Sequence, residues 1–158
     1  MRDKSVCFSG HRNMPAESCN EIYKKLVGTV KTLAAEGYTE FYCGGAVGFD
    51  MMAETAVLDV KRNFPDISLH LILPYRGHNS GWSIIDKRKF EVIMKYARSV
   101  EYIFDRYVSW CFSERNKRMV DNSSVLVYYM TECKGGTWFT VKYAASKELK
   151  LFNLTQNV

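Results

Sequence analysis

Short apolar runs alternate with amphipathic stretches along this whole chain, and that alternation restricts the possible folds more than any other feature. Residues 6–9, 39–43, 67–73, 100–104, 124–130 and 151–154 read as strands. Between the first two, Pro15 opens a helix whose apolar positions Ile22, Leu26, Val30 and Leu33 recur at helical spacing, and Gly37 ends it. Met52, Ala56 and Val60 mark a second helix that stops before Pro65. Phe90, Ile93, Met94 and Ala97 mark a third, and residues 113–122 a polar fourth. Gly135-Gly136 opens the last, which carries Val141, Ala144 and Ala145. Strands joined by helical crossovers pair in parallel, with helices on both faces of the sheet. The run Ser124-Val-Leu-Val-Tyr-Tyr-Met130 is apolar on both faces, as expected of a central parallel strand. The predicted fold is therefore α/β: a Rossmann-like three-layer sandwich with a mostly parallel sheet, a single domain over residues 1–158.

A chain of 158 residues with 47% hydrophobic and 25% charged residues is long and apolar enough to bury a core. No apolar run approaches the roughly 20 residues that span a bilayer. The opening Met1-Arg-Asp-Lys-Ser5 does not read as a signal peptide, so the expected location is the cytoplasm. The five cysteines, Cys7, Cys19, Cys43, Cys111 and Cys133, are odd in number and show no CxxC spacing. That argues against a disulfide framework and a zinc site, and for reduced, mostly buried thiols. His11, His70 and His78 lack metal-ligand spacing with one another or with cysteine, so no metal is expected. A net charge of +5, spread along the chain, accommodates an anionic ligand without demanding nucleic acid.

In an open parallel sheet, ligands bind outside the carboxyl ends of the strands, near the point where strand order reverses. The loops after the predicted strands hold the least ordinary residues of the chain. Ser9-Gly10-His11-Arg12 combines a tight turn, a histidine able to donate or accept a proton and an arginine suited to gripping phosphate or carboxylate. Gly44-Gly45-Ala46-Val47-Gly48-Phe49-Asp50 lets the backbone approach a ligand just ahead of a helix start, whose free N–H groups attract anions. Asp50 stands in the first helical turn, either accepting from ribose-type hydroxyls or satisfying helix N–H groups. Gly45→Val is expected to keep the fold and abolish ligand binding.

Pro74 and Tyr75 close the third strand. Gly135-Gly136-Thr137 repeats the glycine turn and helix start after the fifth, with a hydroxyl available to phosphate or to a helix cap. In the polar fourth helix, Arg115, Asn116 and Asp121 either point towards this ligand edge or lie on a solvated face. Tyr75, Trp82, Tyr107, Trp110 and Trp138 follow the third, fourth and fifth strands. They either stack on a base or wall a pocket, or simply cover the core. The chain has no GxxxxGK[ST], no GxSxG and no nucleophile beside a base in sequence. It shows a place to bind and assigns no catalytic residue.

Six pieces run in order over nearly the whole length: Phe8-Ser-Gly-His-Arg12, Gly44-Gly-Ala-Val-Gly-Phe-Asp50, Leu73-Pro-Tyr75, Arg115-Asn116, Met119-Val-Asp121 and Gly135-Gly-Thr137. As a set they resemble the YpsA-like proteins (DUF1273) of the SLOG superfamily. The resemblance implies a Rossmann-like fold and a pocket for a nucleotide-derived ligand, in proteins linked to sensing or processing such molecules. Two relatives in that superfamily point in different directions. The LOG phosphoribohydrolases carry a GGxGTxxE turn with a catalytic glutamate. Here Gly135-Gly136 is followed by Thr137-Trp-Phe-Thr140, and Lys142 sits where that acid would fall. An ammonium group does not stabilise positive charge developing on a ribose, so N-glycoside hydrolysis is not carried over. The DNA-processing protein DprA has a glycine-rich loop ending in a way similar to Gly48-Phe49-Asp50. Single-strand binding also needs a basic groove with stacking aromatics; the aromatics are present, and a contiguous basic stripe is not evident.

The expected function is binding of a nucleotide-like small molecule in a sensing or regulatory role. The expected site comprises Ser9, Gly10, His11, Arg12, Gly44, Gly45, Ala46, Gly48, Asp50, Pro74, Tyr75, Arg115, Asn116, Gly135, Gly136 and Thr137. Arg12 and Arg115 would meet phosphate and Asp50 a ribose. The alternatives are an enzyme acting on a nucleoside phosphate through Asp50 or His11 and, less favoured, a single-stranded DNA-binding module. No cofactor is assigned. A homo-oligomer is an expectation from fold analogy alone.

Overall fold

The structure, a computed structural model, describes residues 2–155. Its elements follow in the order the periodicity predicts: β1 Ser5–Gly10, α1 Cys19–Ala35, β2 Glu40–Cys43, α2 Phe49–Lys61, β3 Ser68–Tyr75, α3 Ile84–Tyr96, β4 Ser99–Phe104, α4 Cys111–Asp121, β5 Val125–Tyr129, α5 Gly135–Ser146 and β6 Lys150–Asn153. The sheet has the order β4-β3-β2-β1-β5-β6, and every pairing in it is parallel. This is a Rossmann-like α/β fold, parallel throughout rather than mostly.

Strand order reverses at β1. The chain steps outward from β1 through β2 and β3 to β4, and then returns through α4 to lay β5 on the other flank of β1. The two strands run in register from Val6 opposite Val125 to Gly10 opposite Tyr129, so they end level. The loops after them diverge to opposite sides, which leaves a crevice at their carboxyl ends.

Successive residues of β1 enter different layers, the period-two alternation of a strand covered on both faces. Val6 and Phe8 join Leu26, Val57 and Phe90 in the core beneath α1, α2 and α3. Cys7 joins Ile72, Met119, Val120 and Ala144 beneath α4 and α5. Cys7, Cys43 and Cys111 are buried, Cys19 is half-buried, Cys133 is exposed, and all five are free thiols. Among the described residues no helix is long and apolar enough to cross a membrane.

Two boundaries differ from the sequence reading. Pro15 does not open the α-helix: its carbonyl accepts from the Ser18 N–H at 3.0 Å, closing a 3-10 turn over Ala16–Ser18, and α1 starts at Cys19. The third strand continues through Pro74 to Tyr75, because Tyr75 still pairs with Phe104. A proline next to the strand's last residue removes one donor where the ladder is already ending.

Candidate functional site

Three loops meet at the carboxyl end of β1. The Phe49 N–H donates to the His11 carbonyl at 3.0 Å, tying the loop after β1 to the start of α2. On the other side the Thr131 N–H donates to Nε2 of His11 at 2.9 Å, tying the same loop to the one after β5. With Nε2 accepting, neutral His11 carries its proton on Nδ1. Its ring stands edge-on to Tyr129, 5.9 Å between centroids. His11 thus braces the crevice as well as lining it.

The hollow these loops enclose measures about 350 Å³, a size usual for small-molecule sites. Ser9, Gly10, His11, Arg12, Ala46, Asp50, Arg115, Asn116, Gly135, Gly136 and Thr137 line it, together with Phe8, Phe112, Met119 and Lys134. Eleven of the sixteen expected site residues therefore share one wall, so residues over a hundred positions apart converge.

Helix α4 achieves this by turning polar residues inward. Cys111, Arg115 and Met119 recur one turn apart and are buried, and Asn116 and Val120 are buried beside them. The apolar stripe that the sequence lacked is a mixed stripe facing the hollow. Arg115, only 6% exposed, donates through Nη1 to the Gly44 carbonyl and through Nε to Oδ1 of Asn116 at 2.7 Å. That bond turns the Asn116 amide nitrogen towards Gly136. Asp121 does not join them: it accepts from the Tyr143 hydroxyl at 2.8 Å on the exposed side of α4.

Opposite Arg115 lie two carboxyl groups one turn apart on α2. Asp50 accepts from the Ala46 N–H at 3.2 Å, so it holds the glycine loop while also lining the hollow. Burial raises its carboxyl above the ordinary range, against the pull of Arg115, the Ala46 N–H and Arg12. Glu54 is fully buried. One of its oxygens accepts from the Gly45 N–H at 3.1 Å, and Oε1 has no partner among the described residues. Burial, and then the charge of Asp50, push Glu54 well above the usual carboxylate range and favour its protonated form. Burial also lowers Arg115, with Asp50 opposing the shift.

The glycines of the first loop are spent on the protein itself. Gly48 has φ 79°, and a Cβ there would stand 2.1 Å from the backbone oxygen of Arg12. Gly45 has φ 72°, and its Cβ would lie 2.1 Å from Cδ2 of Leu73 in the core, so the expectation that Gly45→Val keeps the fold is withdrawn. At Gly44 a Cβ would press on Nη1 of Arg115 at 2.8 Å. None of the three lines the hollow.

The second glycine turn is open. A Cβ on Gly135 meets nothing within 4 Å, and one on Gly136 would touch only the Asn116 amide at 4.0 Å. Helix α5 starts there with no side-chain cap and no acid in its first turn. Lys142 does not enter the hollow; its ammonium lies over the Trp138 ring at 5.1 Å, and Trp138 packs on the α4–α5 core.

Pro74 and Tyr75 line a second, adjoining hollow of about 80 Å³ with Val47, His78 and Trp82. Arg12, Ala46, Phe112 and Arg115 are common to both walls. The Arg12 guanidinium rests on the Phe112 ring, 5.0 Å from its centroid. Nε2 of His78 donates to the Gly45 carbonyl at 2.9 Å, and burial holds the imidazole below its usual range. Tyr107 and Trp110 remain exposed, at 58% and 56%.

Sequence reasoning passed over Glu54, Phe112 and Lys134. An acid within the apolar run of α2, one turn beyond Asp50, was a readable signal for Glu54. A lysine directly before a glycine helix start was one for Lys134. Phe112 carried none, because its place depends on how α4 docks.

A family model described as the YspA SLOG family, YpsA, matches residues 8–156. A UPF0398 protein of Staphylococcus epidermidis is 26% identical over 136 residues, covering 79% of this chain and 72% of that protein. One from Brevibacillus brevis is 26% identical over 106 residues, 65% of this chain and 56% of the relative. Among solved structures, DNA processing protein A of Helicobacter pylori, described for its single-stranded DNA binding mode, superposes with a TM-score of 0.67 at 18% identity. DNA processing protein A of Streptococcus pneumoniae superposes with a TM-score of 0.68 at 15% identity. Both alignments take in 94% of this chain, which spans 64% and 49% of those two proteins; likeness at this level establishes a shared fold. With a match running from within β1 past the last strand, this chain belongs to the YpsA family of SLOG proteins.

Proposed function

We propose that the protein binds a phosphorylated, nucleotide-derived small molecule between the carboxyl ends of β1 and β5, in a sensing or regulatory role in the cytoplasm. The observation that carries this reading is the uncapped start of α5 over a hollow that Arg12, Arg115 and Lys134 also line. First-turn N–H groups and the helix dipole favour an anion there. Arg12 is exposed and able to close over a phosphate, whereas Arg115 is held in place by Gly44 and Asn116. Asp50 supplies an acceptor for sugar hydroxyls. Lys142 lies outside the hollow and α5 brings no acid to it, which favours binding over hydrolysis.

A thermal-shift panel of ADP-ribose, NAD and nucleoside mono- and diphosphates tests this. A ligand at 100 times its dissociation constant adds about 2.7 kcal/mol of stability, an easily visible upward shift. Absence of a shift with every member at millimolar concentration overturns the proposal.

A second reading, single-stranded nucleic acid binding, draws on Tyr107 and Trp110, which stand exposed after β4 in the loop that also carries the exposed Arg106. Aromatic faces beside arginines suit unpaired bases. Affinity for an oligonucleotide that falls steeply with salt supports it, and no binding at low salt removes it.

A further inference from the structure

A second constellation lies at the other end of the sheet, where the strands begin. Register sets Tyr42 of β2, His70 of β3 and Ser99 of β4 side by side, with Glu40 two residues before Tyr42. Period-two alternation puts these four side chains on one face, where Tyr42 packs on the α4–α5 core. Nε2 of His70 lies 2.7 Å from Oε1 of Glu40, and Nδ1 lies 2.6 Å from Oγ of Ser99. Against the pull of burial, hydrogen bonds from Thr39 and His70 hold the Glu40 carboxyl below its usual range, so it accepts. Neutral His70 therefore carries its proton on Nε2, and the lone pair of Nδ1 faces the Ser99 hydroxyl. The Tyr42 ring, stacked on the imidazole with 4.9 Å between centroids, pins it further, while Ser99 is exposed.

We propose that Ser99 is a nucleophile, activated by His70 and held in that state by Glu40, that takes the acyl group of unhindered carboxylic esters. A hydroxyl, an imidazole and a carboxylate in hydrogen-bonded sequence are the working parts of acyl transfer, whatever their order in the chain. Oγ bonds to the ester carbonyl carbon as its proton passes to Nδ1, and the alcohol leaves with that proton. Water then adds to the acyl carbon through the same nitrogen, and Ser99 regains its proton as the acid departs. The Arg98 N–H donates to the Leu69 carbonyl at 2.8 Å, so alternation turns the Ser99 N–H towards the outer flank of β4, the last strand of the sheet. There it meets the oxygen that becomes negative during attack. The site is separate from the main hollow, whose lining shares none of these residues.

Treatment of the full chain with an alkyl fluorophosphonate, followed by peptide mass mapping, tests the assignment. The reagent's phosphorus bonds to Oγ as fluoride leaves and the hydroxyl proton passes to Nδ1. The label is expected on Ser99 of the folded chain and not on the urea-unfolded one. Ser99→Ala should abolish it and slow hydrolysis of p-nitrophenyl acetate. His70→Ala should slow labelling by roughly 10²-fold, with His70→Gln as the second probe should that variant fail to fold. Glu40 acts through His70: Glu40→Gln should slow labelling, and Glu40→Asp, which keeps a carboxylate, should recover part of the loss. No label, a label elsewhere, a labelling rate indifferent to His70, or ester hydrolysis equal in wild type and Ser99→Ala overturns the proposal. Each of those outcomes leaves the reading of the main hollow intact.

Discussion

At Gly44, Gly45 and Gly48 an added methyl group lands on Arg115, on Leu73 and on the Arg12 backbone; at Gly135 it lands in open space. Both turns follow an interior strand and start a helix, and both read alike as sequence. In the first, the missing Cβ atoms make room for the protein's own Arg115, Asp50, Leu73 and Arg12 backbone. In the second, Gly135 is held at φ 80°, a conformation that favours glycine, and its vacant side is open. A glycine pair records either a close approach or a left-handed backbone, and only the surroundings tell which.

The largest effect expected from this contrast is Gly48→Ala. A residue held at φ 79° with a backbone oxygen 2.1 Å from its Cβ has no rotamer to escape into. Strain and overpacking together cost on the order of 3 kcal/mol or more. An unchanged urea midpoint would break the comparison at its firmest point. Next comes Arg115→Ala, which leaves the buried Gly44 carbonyl without its donor and removes a positive charge from the neighbourhood of Asp50. Leaving a buried group unsatisfied costs about 1–3 kcal/mol, again readable by denaturant titration, and a cost below 1 kcal/mol would show that the first loop does not depend on α4.

Glu54→Gln is smaller and has the opposite sign. A carboxyl raised by folding binds its proton more tightly in the native state than in the unfolded chain. Stability is therefore lost as pH climbs from the ordinary carboxyl value through the raised one. Glutamine resembles the protonated acid and escapes that loss. The variant should match the wild type near pH 4 and exceed it by a margin that grows as pH rises towards 8. Parallel melting curves across that range would discredit the protonated Glu54.

The smallest stability effect belongs to the open turn. Gly136→Ala should alter stability by no more than about 1 kcal/mol, because a first-turn alanine is compatible with the helix. The same methyl group intrudes on the proposed phosphate seat, so any ligand found in the thermal-shift panel should weaken tenfold or more. A variant that destabilises the fold while sparing the ligand would invert the roles assigned to the two turns.

Much of this was written in local pattern. Apolar spacing, with glycine and proline breaks, named the strands and the helices other than the polar α4, because each element must bury one face and the spacing of apolar residues records which. The strand ends, and hence the loops that carry Ser9 to Arg12 and Gly135 to Thr137, followed from that alone. Arg115, Asn116 and Asp121 were indistinguishable in sequence, three polar residues on a polar helix. Docking of α4 against β3 and β4 buried the first two and left Asp121 to Tyr143.

What the amino-acid order determined by itself was the layered parallel architecture and the edge at which function gathers, since crossovers and strand polarity are local consequences of the chain. What only the tertiary structure decided was the division of labour at that edge. Whether a glycine's vacant side is filled by Leu73, by Arg115 or by nothing depends on residues distant in sequence. So does the displaced titration of Glu54, which arises from desolvation and a neighbouring charge that exist only once the chain has closed around them.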